Sequence, residues 1–287
     1  MSLKLKRMFC CPGSNVILLG LCAGLLAGCA DLKSIRKFAD SAADTASYTD
    51  LTADYIGGPD RMKGYEETKE RQDELEKESA AREKQEKALL GVHRGIQDYM
   101  KAIGALASDE VVSYDRSLKN LGDEIKGAKL MSDSKVDAYQ GIARILLKAA
   151  TDGYRQSKLK DLIGEANEPF QKVAGGLKEL VGDAYVRSLN NELEVLDIYY
   201  KDVVKQAPAN DPGTEMVKEN WRTKREDLEK RKKACLTYAE TIGKIAEAHQ
   251  ELFNNRDKLN VKLTLDMISS YSQDLDDLKK KIKQLTK

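Results

Sequence analysis

Histidine is scarce in this chain: 287 residues hold only His93 and His249. Neither has a second histidine or a cysteine at ligand spacing, so a zinc site has no support. Neither has a glutamate three residues before it, so the paired Glu-x-x-His motif of a di-iron bundle is missing. Glycines are scattered at turns and form no phosphate-cradling loop. A Cys235–His249 nucleophilic pair is excluded while both sit on one straight helix, because fourteen residues span about 21 Å. Aromatics are 6% of the chain and prolines number five. No section is rich in strand formers and no repeat of fixed period stands out. The residues therefore assign no catalytic group, no metal and no cofactor, and the chain reads as a non-enzyme.

What is abundant is charge: a third of all residues are Asp, Glu, Lys or Arg, in near balance at 48 basic and 47 acidic. Such a composition suits long solvated helices. It lacks the basic excess of a nucleic-acid binder, so no nucleic-acid partner is expected.

The first thirty residues carry the strongest signal. Lys4, Lys6 and Arg7 make a basic start, and Val16 to Ala27 make an apolar run of about a dozen residues. That is the length of a signal-peptide core, and short of the roughly 20 residues that a membrane span needs. The run closes on Leu26-Ala27-Gly28-Cys29. This segment, residues 1–29 only, resembles the bacterial lipoprotein class cut by signal peptidase II. The resemblance implies a signal peptide at 1–28 and a lipid-bearing Cys29, with a diacylglycerol on its thiol and a further acyl chain such as palmitate on its amine. Two or more chains anchor stably where one is marginal. Ala30 follows the cysteine and Asp31 comes one later, which by the same resemblance favours the outer membrane over inner-membrane retention. The address is thus the cell envelope, at the periplasmic or outer face of the outer membrane.

Removing the leader leaves about 260 residues, with 45 basic against 47 acidic. Cys10, Cys11 and Cys22 leave with it and Cys29 is lipidated, so Cys235 alone remains and no disulfide framework forms. Its place on an apolar helical seam marks it as a buried small hydrophobe.

The mature chain divides into a lipidated tether with a short helix, 29–59, and a helical bundle domain, 60–287. Ile35, Phe38, Ala42 and Ala46 mark the short helix, and Gly57-Gly58-Pro59-Asp60 breaks it. A long helix is expected from 61 to 107. Its second half carries the heptad seam Leu89, Val92, Ile96, Tyr99, Ile103 and Leu106. Its first half, Glu66 to Lys87, is charged all round, with Leu75 its only large aliphatic. Glu67–Arg71, Asp73–Lys77, Glu78–Arg82 and Glu83–Lys87 place each acid four residues before a base, worth about 0.2–0.5 kcal/mol a pair. That half either projects as an arm, packs on one thin edge, or lies along the body as a solvated helix.

Ser108-Asp109-Glu110 reads as a helix restart, leading to a seam through Val111, Tyr114, Leu118, Leu121 and Ile125. Ser132 offers a cap for the next helix, which Asp152-Gly153 ends. From 159 to 206 runs one seam that slips phase between Ala184 and Leu189, with a kink expected at 165–169 from Pro169. After the loop 207–213, Thr214 is the expected cap of a last helix that continues to the end, bending at Asn254-Asn255. The fold class is all-α: an elongated antiparallel helical bundle with long, coiled-coil-like helices.

Two functional readings follow. One is a non-enzymatic structural or adaptor lipoprotein, held to the membrane by lipid on Cys29 and engaging an envelope protein. The alternative is a periplasmic ligand-binding or transport-accessory lipoprotein with a pocket near Trp221 and the seam tyrosines, or an envelope immunity-type protein.

Overall fold

The computed structural model describes residues 32–114, 117–208 and 211–286. Cys29, the lipobox and the leader lie outside them. From Leu32 onward the described residues form an all-α bundle without strands. No helix among them is long and apolar enough to cross a membrane.

The apolar stripe Ile35, Phe38, Ala42 and Ala46 builds α1 (Lys33–Ala46), and all four residues are buried. Leu32, just before α1, is buried as well. Two short helices follow, α2 (Asp50–Ile56) and α3 (Gly58–Lys63), meeting at Gly57. The glycine pair thus separates helices, and Pro59 sits in the first turn of α3, where its missing N–H leaves no bond unmade.

The long helix α4 (Lys69–Ala107) starts eight residues later than its pattern suggests. Thr68 stops it from extending back: its extended backbone breaks the helix and its Oγ1 accepts from the Arg71 N–H at 3.4 Å. The charged half of α4 packs on one thin edge, burying Leu75, Ser79 and Arg82. Of its four expected ladder pairs, Glu78–Arg82 forms. Arg71 turns instead to Glu74 and Glu66, Asp73 to Lys69, and Lys87 to Glu124 on another helix.

Ser108 to Glu110 ends α4 rather than opening a new helix. Asp109 takes a left-handed conformation, φ 57°, and the Glu110 N–H returns to the Ala105 carbonyl, a helix-closing pattern. Val111 is exposed and Val112 buried, the reverse of the expected phase. The next helix, α5, is Ser117–Gly127. Ser132 takes the cap position of α6 (Asp133–Thr151), and Gly153, at φ 63°, turns the chain after it.

Pro169 does not break α7 (Leu159–Glu179). Its ring lies against Gly141 of α6, where a side chain would meet the proline Cβ at 3.5 Å. The irregularity falls further on. Leu180–Tyr185 is π-helical and leads into α8 (Val186–Gln206). A π turn holds one residue more than an α turn, which accounts for the five-residue step from Ala184 to Leu189.

Asp211, not Thr214, stands at the cap of α9 (Pro212–Asn254), with Pro212 in the first turn. Thr214 is buried and donates to the Pro208 carbonyl at 3.0 Å, latching the loop. The expected bend at Asn254-Asn255 is a full reversal. A 3-10 turn at Arg256–Lys258 leads to α10 (Lys262–Leu285), which packs back on α9.

Registers follow from side-chain contacts. Ala46 lies by His93 and Asp40 by Gly104, so α1 and α4 are antiparallel. Gln171 reaches the Ala246 carbonyl and Asn167 reaches Gln250, so α7 and α9 are antiparallel. One pair departs from the expected arrangement: Ser41 meets Asp276 and Asp44 meets Lys279, so α1 and α10 run parallel. At 39 and 43 residues, α4 and α9 extend about 58 and 65 Å. Leu32, the turn after α4, the α6–α7 turn and the α9–α10 turn share one pole. The starts of α4 and α9 share the other.

Candidate functional site

A chain of buried polar groups crosses the middle of the bundle. Ala46 and Thr52 bring α1 and α2 to it, α4 brings Arg82 and His93, the π segment brings Tyr185, and α9 brings Tyr238. The extra residue in the π turn rotates Tyr185 inward, where its hydroxyl lies 3.1 Å from Thr52 Oγ1. Thr52 Oγ1 is also 3.1 Å from His93 Nε2. On the other side, His93 Nδ1 is 2.8 Å from the Tyr238 hydroxyl and 3.3 Å from the Ala46 carbonyl.

One proton assignment satisfies every member. Tyr185 donates to Thr52, Thr52 donates to Nε2, and Nδ1–H donates toward Tyr238 and Ala46. Tyr238 then donates to the Ala46 carbonyl at 3.4 Å. His93 is therefore neutral, and burial pushes its pKa down to about 4 against the Ala46 bond. Burial pushes the Tyr185 and Tyr238 hydroxyls up from their ordinary value.

Arg82 closes one end of this chain. Its guanidinium lies 4.1 Å from the Tyr55 ring centroid, and Tyr55 stacks on Tyr185 at 4.3 Å. The same guanidinium donates to the Tyr55 carbonyl, to Ser188 Oγ at 2.8 Å and to Glu78. Beside it, Arg61 donates to both oxygens of Glu192 at 2.7 and 2.9 Å. Asp54 joins Arg61 and Arg231. A buried guanidinium and carboxylate are tolerated only when paired and fully bonded, and both are. The cluster fixes how α2, α3, α4 and α8 meet. Its groups are spent on one another, so it works as a structural lock.

Cys235 is buried near this cluster, as its seam position predicts, and burial followed by the Asp54 charge pushes its thiol up to about 12. A thiol held that high is a poor nucleophile. His249 lies elsewhere, between Tyr99 and Phe170. Its Nδ1–H donates to Asn167 Oδ1 at 3.1 Å, and Tyr99 donates to Nε2 at 2.7 Å. Burial lowers its pKa to about 3. Among the described residues no group of three or more His, Cys, Asp or Glu side chains could hold a metal ion.

Trp221 and the tyrosines near it pack on one another. Trp221 lies parallel to Tyr200 at 6.2 Å and donates to Asp197 at 2.8 Å, while Tyr65 covers Tyr199 and Tyr200. An open groove of about 710 Å³ runs instead along the charged half of α4, lined by Lys77, Lys84, Lys87 and alanines on one side and by Glu124 and Ala128 on the other.

The residues missed in the sequence are Arg61, Arg82, Tyr185 and Glu192. One signal for Arg82 was present: it falls on the seven-residue spacing Leu75, Arg82, Leu89, Ile96, Ile103, so a charge occupies a core position.

No family model matches this chain, and neither a curated protein nor a solved structure is similar to it.

Proposed function

We propose that this protein is a bacterial lipoprotein acylated on Cys29 that acts as a non-enzymatic adaptor, holding a charged surface away from the outer membrane. The observation that carries this reading is the opposition of two poles. Leu32 is already buried, so only three peptide steps separate Cys29 from the packed body, about 11 Å at full extension. The lipid would hold the Leu32 pole close to the bilayer. The charged half of α4 and its open groove lie toward the other pole, with Lys87 about 30 Å and Lys69 about 57 Å along the helix from Ala107. Charge-lined rims favour orientation and rate of encounter with a partner of complementary charge. The rigid helices between the poles fix that distance.

Two measurements test this reading. Labelled palmitate should enter the chain and be lost in Cys29→Ser; retention of label by that variant overturns the anchor. A photo-crosslinker at Lys77 or Lys84 in native membranes should trap one envelope protein reproducibly. If it traps nothing while the chain is acylated, the adaptor role fails and the anchor stands.

A further inference from the structure

The pole that carries Leu32 also carries an exposed apolar pair. Val261 is 44% exposed and Leu263 is 80% exposed, and they flank Lys262 in the α9–α10 turn. Lys258 is exposed on the same turn. Asp257, the acid just before Lys258, is engaged by Lys160 of α7 at 3.4 Å. An aliphatic pair set among lysines is the chemistry of an interfacial membrane contact: apolar side chains enter the headgroup boundary and ammonium groups meet lipid phosphates.

The register sets the level of this turn. Ser41 pairs with Asp276 and Asp44 with Lys279, so Lys33 is level with Ile268. Val261 precedes Ile268 by seven residues and extends about 10 Å beyond the start of α1. Three peptide steps span at most about 11 Å, so a lipid attached at Cys29 has the length to reach that level. A lipid on Cys29 and the tip at Val261–Leu263 can therefore meet one surface plane.

We propose that the α9–α10 turn is a second membrane contact, with Val261 and Leu263 inserted at the interface of a phospholipid bilayer and Lys258 and Lys262 on its anionic headgroups. This rests on acylation of Cys29, and it adds a fixed orientation: lipid and tip together stand the bundle upright, with α4 rising from the membrane.

The test uses the mature acylated chain in vesicles of phosphatidylethanolamine and phosphatidylglycerol. An environment-sensitive fluorophore is placed by Leu263→Cys, or by Met216→Cys at the opposite pole, where Met216 is also exposed. Cys235 is buried, and the unsubstituted chain serves as the labelling blank. At position 263 the emission should shift to the blue and be quenched by nitroxide lipids. At position 216 it should stay accessible to aqueous iodide. Equal iodide access at both positions overturns the proposal, as does shielding at 263 without lipid quenching, which would assign the tip to a second copy of this chain. Palmitate incorporation, read separately, decides the lipoprotein reading. An acylated chain with an iodide-accessible tip sinks this inference alone.

Discussion

Arg61 holds Glu192 by two parallel bonds, Nε and Nη2 at 2.7 and 2.9 Å from the two carboxylate oxygens, and so ties α3 to α8. The Glu192 side chain is 4% exposed and that of Arg61 is 31% exposed. Removing the arginine leaves a carboxylate buried without its partner. Arg61→Met is expected to destabilise the fold by about 2 kcal/mol, below the 3–5 kcal/mol of fully buried pairs because water screens part of this one. In Arg61→Met with Glu192→Leu, the destabilisation should shrink. Urea denaturation of the four chains of this cycle measures it, and additive losses would falsify the claim that the two groups act as a unit.

Arg82 is the charge at a core heptad position, and its planar group does three things at once. It covers Tyr55, satisfies the half-buried Tyr55 carbonyl and reaches Ser188. Arg82→Ala should cost about 2–3 kcal/mol, mainly through the groups left unpaired. Arg82→Lys keeps the charge but not the flat fork, so it should recover only part of that loss. Equal stability of the lysine variant and the parent would show that charge alone suffices.

Acid should loosen this protein before its carboxylates are titrated. His93 and His249 are neutral in the fold, with burial holding them near 4 and 3, against about 6.5 in an unfolded chain. Below pH 6.5 the unfolded chain binds protons that the folded one refuses. Stability is therefore fully present above that pH and falls as pH drops, by up to about 1.4 kcal/mol per pH unit for each histidine. Urea midpoints between pH 7 and 5 should fall steadily. His93→Gln and His249→Gln should each flatten the slope; an unchanged slope in both would locate the acid sensitivity elsewhere.

The all-α fold and most helix faces were legible because heptad spacing is written directly in the apolar residues. Leu89, Ile96 and Ile103 are buried where the pattern puts them. The phase slip before Leu189 was legible too, but not its cause, since a π turn and a broken helix shift a seam alike. Pro169 misled because local sequence does not reveal that its ring packs against α6 at Gly141. The reversal after Asn254 was hidden because α9 and α10 both continue helical spacing across the turn. The polar lock was the least visible part. Its members come from five segments, and only tertiary packing decides that Thr52, His93 and Tyr185 meet.

Cys235 gives a direct readout of global opening. Buried, with its thiol pushed up to about 12, it should not react with a thiol reagent at pH 8 in the folded chain. The reaction should start in urea at the concentration where circular dichroism reports unfolding. Reaction well before that point would reveal a local opening of α9.

Two glycine replacements should move stability in opposite directions for one physical reason. Alanine is the better helix former by about 1 kcal/mol, so each replacement gains the same backbone term. At Gly175 in α7 a new Cβ meets nothing within 4 Å. Gly175→Ala is therefore expected to stabilise by about 0.5–1 kcal/mol. At Gly95 in α4 it would lie 2.5 Å from Cε2 of Tyr139, a ring itself buried. Relieving that clash means shifting a packed tyrosine and α6 behind it, about 1–3 kcal/mol of overpacking. Gly95→Ala should lower the thermal midpoint while Gly175→Ala raises it. If both raise it, α4 and α6 are not in contact through Tyr139, and the packing of α6 on the long helix is wrong.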